Sequence, residues 1–189
     1  MKKLAILISG RGSNMEAILR NVKDGFLKDV CRIELVFSNN PDAHGLEKAD
    51  KMGFHTETIS SKGKKKDYYE SQLLELLLSY EIDLIVLAGY MKILSPLIVD
   101  AVPKKIINIH PADTKKHKGL HGYKWAFENG LDKTKITVHY VDNTLDGGEI
   151  IAQREVDISD CETVAQAEAK GLAVEHKLYS EVIYELCKE

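Results

Sequence analysis

The sequence predicts an α/β fold: one doubly wound, mostly parallel sheet, with an antiparallel pair of strands in the C-terminal half. Three observations carry this expectation. Short apolar runs with no polar alternation read as strands covered on both faces. Apolar residues at helical spacing fill the stretches between them. Strand and helix then alternate through the first 110 residues, which implies right-handed crossovers within one parallel sheet.

The first element is the run Leu4-Ala5-Ile6-Leu7-Ile8, which ends in Ser9-Gly10-Arg11-Gly12-Ser13-Asn14. Met15, Ala17, Ile18, Leu19 and Val22 follow at helical spacing, giving strand, glycine turn and helix. Residues 33–37 form the next strand and residues 43–52 a helix. Residues 56–59 are a short strand. Residues 67–80, with Leu73, Leu74, Leu76 and Leu77, are a helix. Residues 83–87 are the most buried-looking strand, followed by a short helix over 95–102 and a strand over 106–110. Residues 135–141 and 149–156 form the antiparallel pair, joined by a short turn around Asp146-Gly147-Gly148. A long helix over 164–186 closes the chain, its Ala-rich, Leu-punctuated pattern suited to packing on the sheet.

The 189 residues suffice for one sizeable core, and 44% hydrophobic content argues against disorder. No repeat or linker divides them, so one domain over residues 1–189 is expected. The net charge of −3 gives no basic excess for nucleic acid. Cys31, Cys161 and Cys187 are far apart and odd in number, which shows neither a disulfide framework nor a zinc spacing. The apolar stretch after Lys2-Lys3 is too short for a signal sequence, and no run reaches membrane-spanning length. The expected setting is cytoplasmic and reducing, with no nucleic acid and no membrane, and the oligomeric state stays open between monomer and homodimer.

Ligands of open α/β sheets bind beyond the carboxyl ends of the strands. Residues 9–14, 88–94 and 108–110 all fall at such ends. In the first, glycines allow a tight turn and expose N–H groups, and Ser13 or Asn14 can cap the helix. A phosphate suits that helix start; a plain tight turn explains it equally. Met15 at the third glycine position excludes a dinucleotide fingerprint, and no Walker loop is present. In Asn108-Ile109-His110-Pro111, alternation puts Asn108 and His110 on one side of a strand, where both can hold a carbonyl oxygen as it gains negative charge. A solvated polar strand end is the plain alternative. Leu145-Asp146-Gly147-Gly148 is a carboxylate-bearing turn whose glycines permit positive φ. Near His110, Asp146 would favour the imidazolium. His139 is open as core, supporting or site-wall residue. The lysine run over residues 62–66 reads as a solvated face or an attractor of a polyanionic tail.

Taken in order, these segments resemble the folate-dependent phosphoribosylglycinamide (glycinamide ribonucleotide) formyltransferases. The matching pieces are residues 8–14, Phe37-Ser38-Asn39, residues 87–96, Asn108-Ile109-His110-Pro111, Gly119-Leu120-His121, Val138-His139, Leu145-Asp146-Gly147-Gly148 and Glu175-His176. The resemblance implies a Rossmann-like formyltransferase domain that passes a formyl group from 10-formyltetrahydrofolate to the amine of glycinamide ribonucleotide without a metal. By position it implies that Gly12, Ser13 and Asn14 cradle the ribonucleotide phosphate and that Glu175 holds the ribose hydroxyls. Met91, Lys92, Ile93 and Leu94 would line the folate site, with Leu145, Gly147 and Gly148 closing over the pterin. Lys66 falls where the family usually has an Arg near the folate tail. Asn108, His110 and Asp146 would be catalytic, with Asp146 keeping His110 charged.

One segment departs from that pattern. The family usually continues Asn-Ile-His-Pro with Ser-Leu-Leu-Pro and, a few residues on, Pro-Gly; here the run is Ala112-Asp113-Thr114-Lys115-Lys116-His117-Lys118-Gly119. Fewer apolar anchors and prolines predict a looser, more solvated loop. Three competing functions share parts of the arrangement. Formyltetrahydrofolate hydrolases normally carry an extra N-terminal domain, and methionyl-tRNA formyltransferases add a C-terminal RNA-contacting one. A non-catalytic phosphoribosyl or folate binder is the third.

Overall fold

The computed structural model describes residues 1–188, so only the last residue of the expected 1–189 span lies outside it. The elements are β1 (Lys2–Ile8), α1 (Ser13–Asp24), β2 (Cys31–Ser38), α2 (His44–Lys51), β3 (Thr56–Thr58), α3 (Lys66–Ser79), β4 (Leu84–Leu87), α4 (Pro96–Val99), β5 (Ile106–His110), α5 (Gly122–Glu128), β6 (Lys133–Tyr140), β7 (Ile150–Asp157) and α6 (Val164–Lys188). They form one seven-stranded sheet of order β3-β2-β1-β4-β5-β6-β7. The first five strands in that row pair in parallel, and β6 and β7 add antiparallel edges. This is the α/β, mostly parallel architecture with an antiparallel pair that the alternation predicts.

The apolar runs form strands because both faces of the sheet are covered. Leu4, Ile6 and Ile8 of β1 pack with α1 and α6 residues such as Ile18, Leu19, Leu178 and Ile183. Ala5 and Leu7, on the opposite face, pack with Leu73 and Leu77 of α3 and Ile98 of α4. Each such leucine or isoleucine, fully buried, contributes about 1.5–3 kcal/mol of hydrophobic stabilisation. Tyr179 of α6 is fully buried and donates to the carbonyls of Leu87 and Ile107, each at 3.0 Å. That contact ties the last helix to the ends of β4 and to β5, where the chemically loaded loops begin.

Three local expectations change. Residues 122–128 form α5, which the sequence pattern does not announce: it starts at a glycine, with His121 at its N-cap in the left-handed region at φ 65°. Neither Ser13 nor Asn14 caps α1; the N-cap is Gly12 at φ 70°, and no side chain accepts there. The connection between β6 and β7 spans residues 141–149 rather than a tight hairpin. Its positive φ belongs to Asp146 (46°) and not to either glycine. Gly147 and Gly148 serve close approach instead: a Cβ on Gly148 would lie 1.9 Å from the Tyr140 carbonyl oxygen, and one on Gly147 would lie 2.2 Å from Thr144 Oγ1.

Candidate active site

Strand order reverses around β1, whose neighbours β2 and β4 start crossovers in opposite directions, so a crevice opens beyond its carboxyl end. Ser9 closes its base. The Ser9 hydroxyl accepts from Met91 N at 2.7 Å and donates to Asn39 Oδ1 at 2.6 Å. Two clefts open there, of about 590 and 410 Å³, and they share a wall that includes Gly89, Met91, Ile109, Pro111 and His121.

The larger cleft is lined by Gly12, Ser13, Asn14, Tyr123 and Glu175, among others. With no side-chain cap, the first N–H groups of α1 stay open, and the helix dipole favours an anion there. The glycine turn is held firmly, since Gly45 N donates to Gly10 O at 2.9 Å. Glu175 is buried, and both its oxygens have donors: Asn14 Nδ2 at 2.6 Å on Oε2, and the Tyr123 hydroxyl on Oε1. Burial and the adjacent Glu175 carboxylate push the Tyr123 hydroxyl pKa far up, so it remains a donor.

The smaller cleft carries Met91, Lys92, Ile93, Leu94 and Leu145, together with Asn108, His110, His139 and Asp146. Met91, Ile93, Leu120 and Leu145 are large apolar side chains left at least half exposed around it. Such a surface suits a largely apolar ligand oriented by a few polar groups. Asp146 is the hub. Its Oδ2 lies 3.5 Å from His110 Nδ1 and accepts from Gly119 N at 2.8 Å, and its Oδ1 lies 3.7 Å from His139 Nε2. Asn108 and His139 are cross-strand partners, with Asn108 Nδ2 3.4 Å from His139 Nε2. His139 Nδ1 faces the Tyr140 carbonyl at 2.8 Å, so in the neutral ring it is Nδ1 that carries hydrogen, and Nε2 can accept from Asn108. His139 is therefore a site-wall residue.

His110 Nε2 lies 3.0 Å from the His117 carbonyl oxygen, a geometry in which Nε2–H donates. With acceptors at both ring nitrogens, only the imidazolium satisfies both. Burial nonetheless dominates and lowers the His110 pKa, against the raising effects of Asp146 and the His117 carbonyl. Asp146 thus acts on His110 in the expected direction, and burial outweighs it before ligands arrive. Asp146 itself is pushed up by burial, but His139, the Gly119 N–H and His110 more than offset this and leave it below the usual carboxylate range.

The start of the segment after Pro111 is tighter than its composition implies, while Lys115, Lys116, Lys118 and Leu120 are exposed as expected. Ala112, Asp113 and Thr114 are buried. Thr137 Oγ1 donates to the Ala112 carbonyl at 2.8 Å; Lys115 N donates to Asp113 Oδ1 at 3.1 Å; Lys135 Nζ is 3.4 Å from Asp113 Oδ2. The His117 ring stacks on Trp125 at 4.9 Å and faces His110 at 6.2 Å, and its Nε2 lies 2.9 Å from Leu120 O. Polar anchoring and ring stacking replace the missing leucines and prolines.

Three expected cofactor residues are not brought to the cleft walls. Lys66 sits at the start of α3, 3.9 Å from buried Glu70, which in turn accepts from Ser95 N at 3.0 Å. Gly147 and Gly148 pack against Thr144 and Tyr140 and shape the turn that presents Leu145 and Asp146. The sequence reading assigned no role to Tyr123 or His117. An aromatic residue within a short polar segment is the one signal that could have pointed to either. Among the described residues no set of three His, Cys, Asp or Glu side chains forms a metal site, and no helix is long and apolar enough to cross a membrane.

The family model described as formyl transferase matches residues 2–183. The phosphoribosylglycinamide formyltransferase of Escherichia coli (strain K12) is 38% identical over 181 residues, covering 95% of this chain and 84% of the relative. That of Bacillus subtilis (strain 168) is 36% identical, covering 98% and 95%. The crystal structure of glycinamide ribonucleotide transformylase 1 from Symbiobacterium toebii superposes with a TM-score of 0.94 at 33% identity, covering 100% of this chain and 88% of that one.

Proposed function

Because the chain belongs to the formyl transferase family, we propose that it transfers a formyl group from 10-formyltetrahydrofolate to the amine of glycinamide ribonucleotide, a step of purine biosynthesis. One observation carries the reading: an anion-suited cleft and an apolar-rimmed cleft share a wall, and Asn108, His110 and Asp146 stand together in the second of them. We read residues 1–189 as one catalytic domain acting in the cytoplasm, in keeping with its three free cysteines.

The open N–H groups after Gly12 hold the ribonucleotide phosphate, and Glu175 takes the ribose hydroxyls. The Met91–Leu94 segment and Leu145 flank the folate. When bound, 10-formyltetrahydrofolate supplies the electrophilic formyl carbon. The attacking amine places negative charge on the formyl oxygen, and Asn108 Nδ2 and a His110 N–H are the donors able to meet it. For Nε2–H to do so it must leave the His117 carbonyl, so the largely exposed 115–120 part of the segment shifts as the clefts fill, while residues 112–114 stay anchored. Charge developing on that oxygen then favours an imidazolium, which takes its extra proton from solvent, is balanced by Asp146, and gives the proton back when the oxyanion collapses. The Asp146 carboxylate also receives the proton lost by the amine, through water, and passes it towards the departing folate nitrogen.

The test is release of deformylated folate from 10-formyltetrahydrofolate with and without glycinamide ribonucleotide. Release that requires the ribonucleotide is expected. Equal release without it would make the protein a hydrolase, and no release in either case would make it a binder.

A further inference from the structure

We propose that Tyr123 is a positioning residue that sets the hydroxyl specificity of the larger cleft by holding the Glu175 carboxylate, and that Gly171 is the gap through which it does so. The inference rests on the reading of that cleft as a phosphoribosyl site and adds to it two residues with no other role in the proposed chemistry.

Gly171 lies inside α6, one turn before Glu175. A glycine inside a long helix is unfavourable, so its place calls for a packing reason. A Cβ there would lie 2.1 Å from Cε1 and Cζ of Tyr123 and 2.2 Å from its hydroxyl oxygen. The absent side chain is the space that the Tyr123 ring fills. From that position the hydroxyl, on α5, donates to Glu175 Oε1, and both residues are more than nine-tenths buried.

The second donor is equally defined. Asn14 Nδ2 must face Glu175 Oε2, because the amide oxygen in its place would set two acceptors against each other. Asn14 Oδ1 is consequently buried with no partner among the described residues. Two donors on a carboxylate with about four acceptor sites leave roughly two for a ligand, and they fix where those two point. With the carboxylate so held, the cleft presents aimed acceptors beside an anion site. Its matching ligand is a sugar phosphate whose ring carries adjacent hydroxyl donors. A polar site of this kind rejects an analogue lacking the hydroxyl more strongly than an apolar pocket would.

The experiment measures calorimetric binding of ribose 5-phosphate and 2-deoxyribose 5-phosphate to the whole chain, with no formyl donor present. Wild type should prefer the ribose form. Tyr123→Phe keeps the ring and removes only the hydroxyl. It should weaken ribose 5-phosphate roughly tenfold, leave the deoxy form within about twofold, and so shrink the preference. Gly171→Ala, which keeps the hydroxyl but denies it room, should lose the same preference. In turnover, Tyr123→Phe should raise KM for the ribonucleotide with kcat within about twofold. Equal weakening of both sugars, an unchanged preference in both variants, or no preference in wild type would each overturn the proposal. Wild type that prefers ribose 5-phosphate but does not formylate the ribonucleotide would overturn the assigned reaction instead and leave the Tyr123 role standing.

Discussion

The larger cleft takes most of its polar groups from helices, among them the N-terminus of α1, Tyr123 of α5 and Glu175 of α6, with Ser9, Arg11 and His121 added from connections. The smaller cleft takes its groups from strand ends and connections: Asn108 and His110 at the end of β5, His139 on β6, and Asp146 and Leu145 in the 141–149 connection. Helices pinned to the sheet hold donors and acceptors at fixed angles, which suits the recognition of an unreactive handle. Connections that meet through one carboxylate can change partners, as the proposed reaction asks of His110, whose Nε2 here faces the His117 carbonyl. Under the proposed function, the difference separates binding from chemistry. Variants of the helix-built cleft should act on KM, and variants of the loop-built cleft on kcat.

The largest effect follows from that division. Asn108→Ala and His110→Ala should each lower kcat roughly 10²–10³-fold, the usual consequence of removing a donor to a developing oxyanion. KM for the ribonucleotide should stay close to wild type, as measured by steady-state kinetics. A raised ribonucleotide KM with kcat intact would erase the division, because it would make β5 part of the binding site.

A smaller effect tests the other side. Gly12 sits at φ 70°, and a Cβ there would lie 3.1 Å from Met15 Cε and 3.2 Å from Gly45 Cα. Met15 can yield, but the Gly45 backbone cannot easily. Gly12→Ala should cost about 1–2 kcal/mol for the left-handed conformation alone, a melting shift of roughly 2–8 °C in a chain of this size. It should also raise KM for the ribonucleotide and leave kcat largely unchanged. A drop in kcat at constant KM would contradict the comparison.

The sequence made the two clefts unequally legible. The strands of the parallel core are apolar runs, and a run such as Leu4–Ile8 has one reading once helices alternate with it. The glycine turn and the Asn108/His110 pair could be placed at strand ends from topology alone. What escaped depends on partners distant in sequence. Asp113 and Thr114 look like loosened plugs until Lys135 and the packing around β6 bury them. Gly147 and Gly148 look like ligand contacts until the Tyr140 carbonyl and Thr144 are seen to need the space. Asp146 could be expected near His110, but the balance between its charge and burial is a property of the assembled site, and burial prevails. Tyr123 acquires meaning only through Gly171, across two helices.

That balance gives the smallest effect and the sharpest test of the loop-built cleft. The folded pKa of His110 is lowered from its ordinary value near 6.5, first by burial. Between the two values the unfolded chain binds more protons than the folded one, so stability rises with pH through that window. The contribution is complete above about pH 6.5 and declines as pH falls towards the folded pKa. Asp146 is depressed in the carboxylate range, so its contribution is lost at lower pH, below about 3.9. The His110 window opens at higher pH than the Asp146 window. The melting temperature followed from pH 8 to pH 5 should therefore fall, and His110→Gln, which keeps a donor for the His117 carbonyl but cannot titrate, should flatten the fall. A wild-type melting temperature that rises as pH drops would mean that Asp146 and the His117 carbonyl outweigh burial. The imidazolium would then be present before any substrate binds, and His110 would need no charge from the reaction to reach its active form.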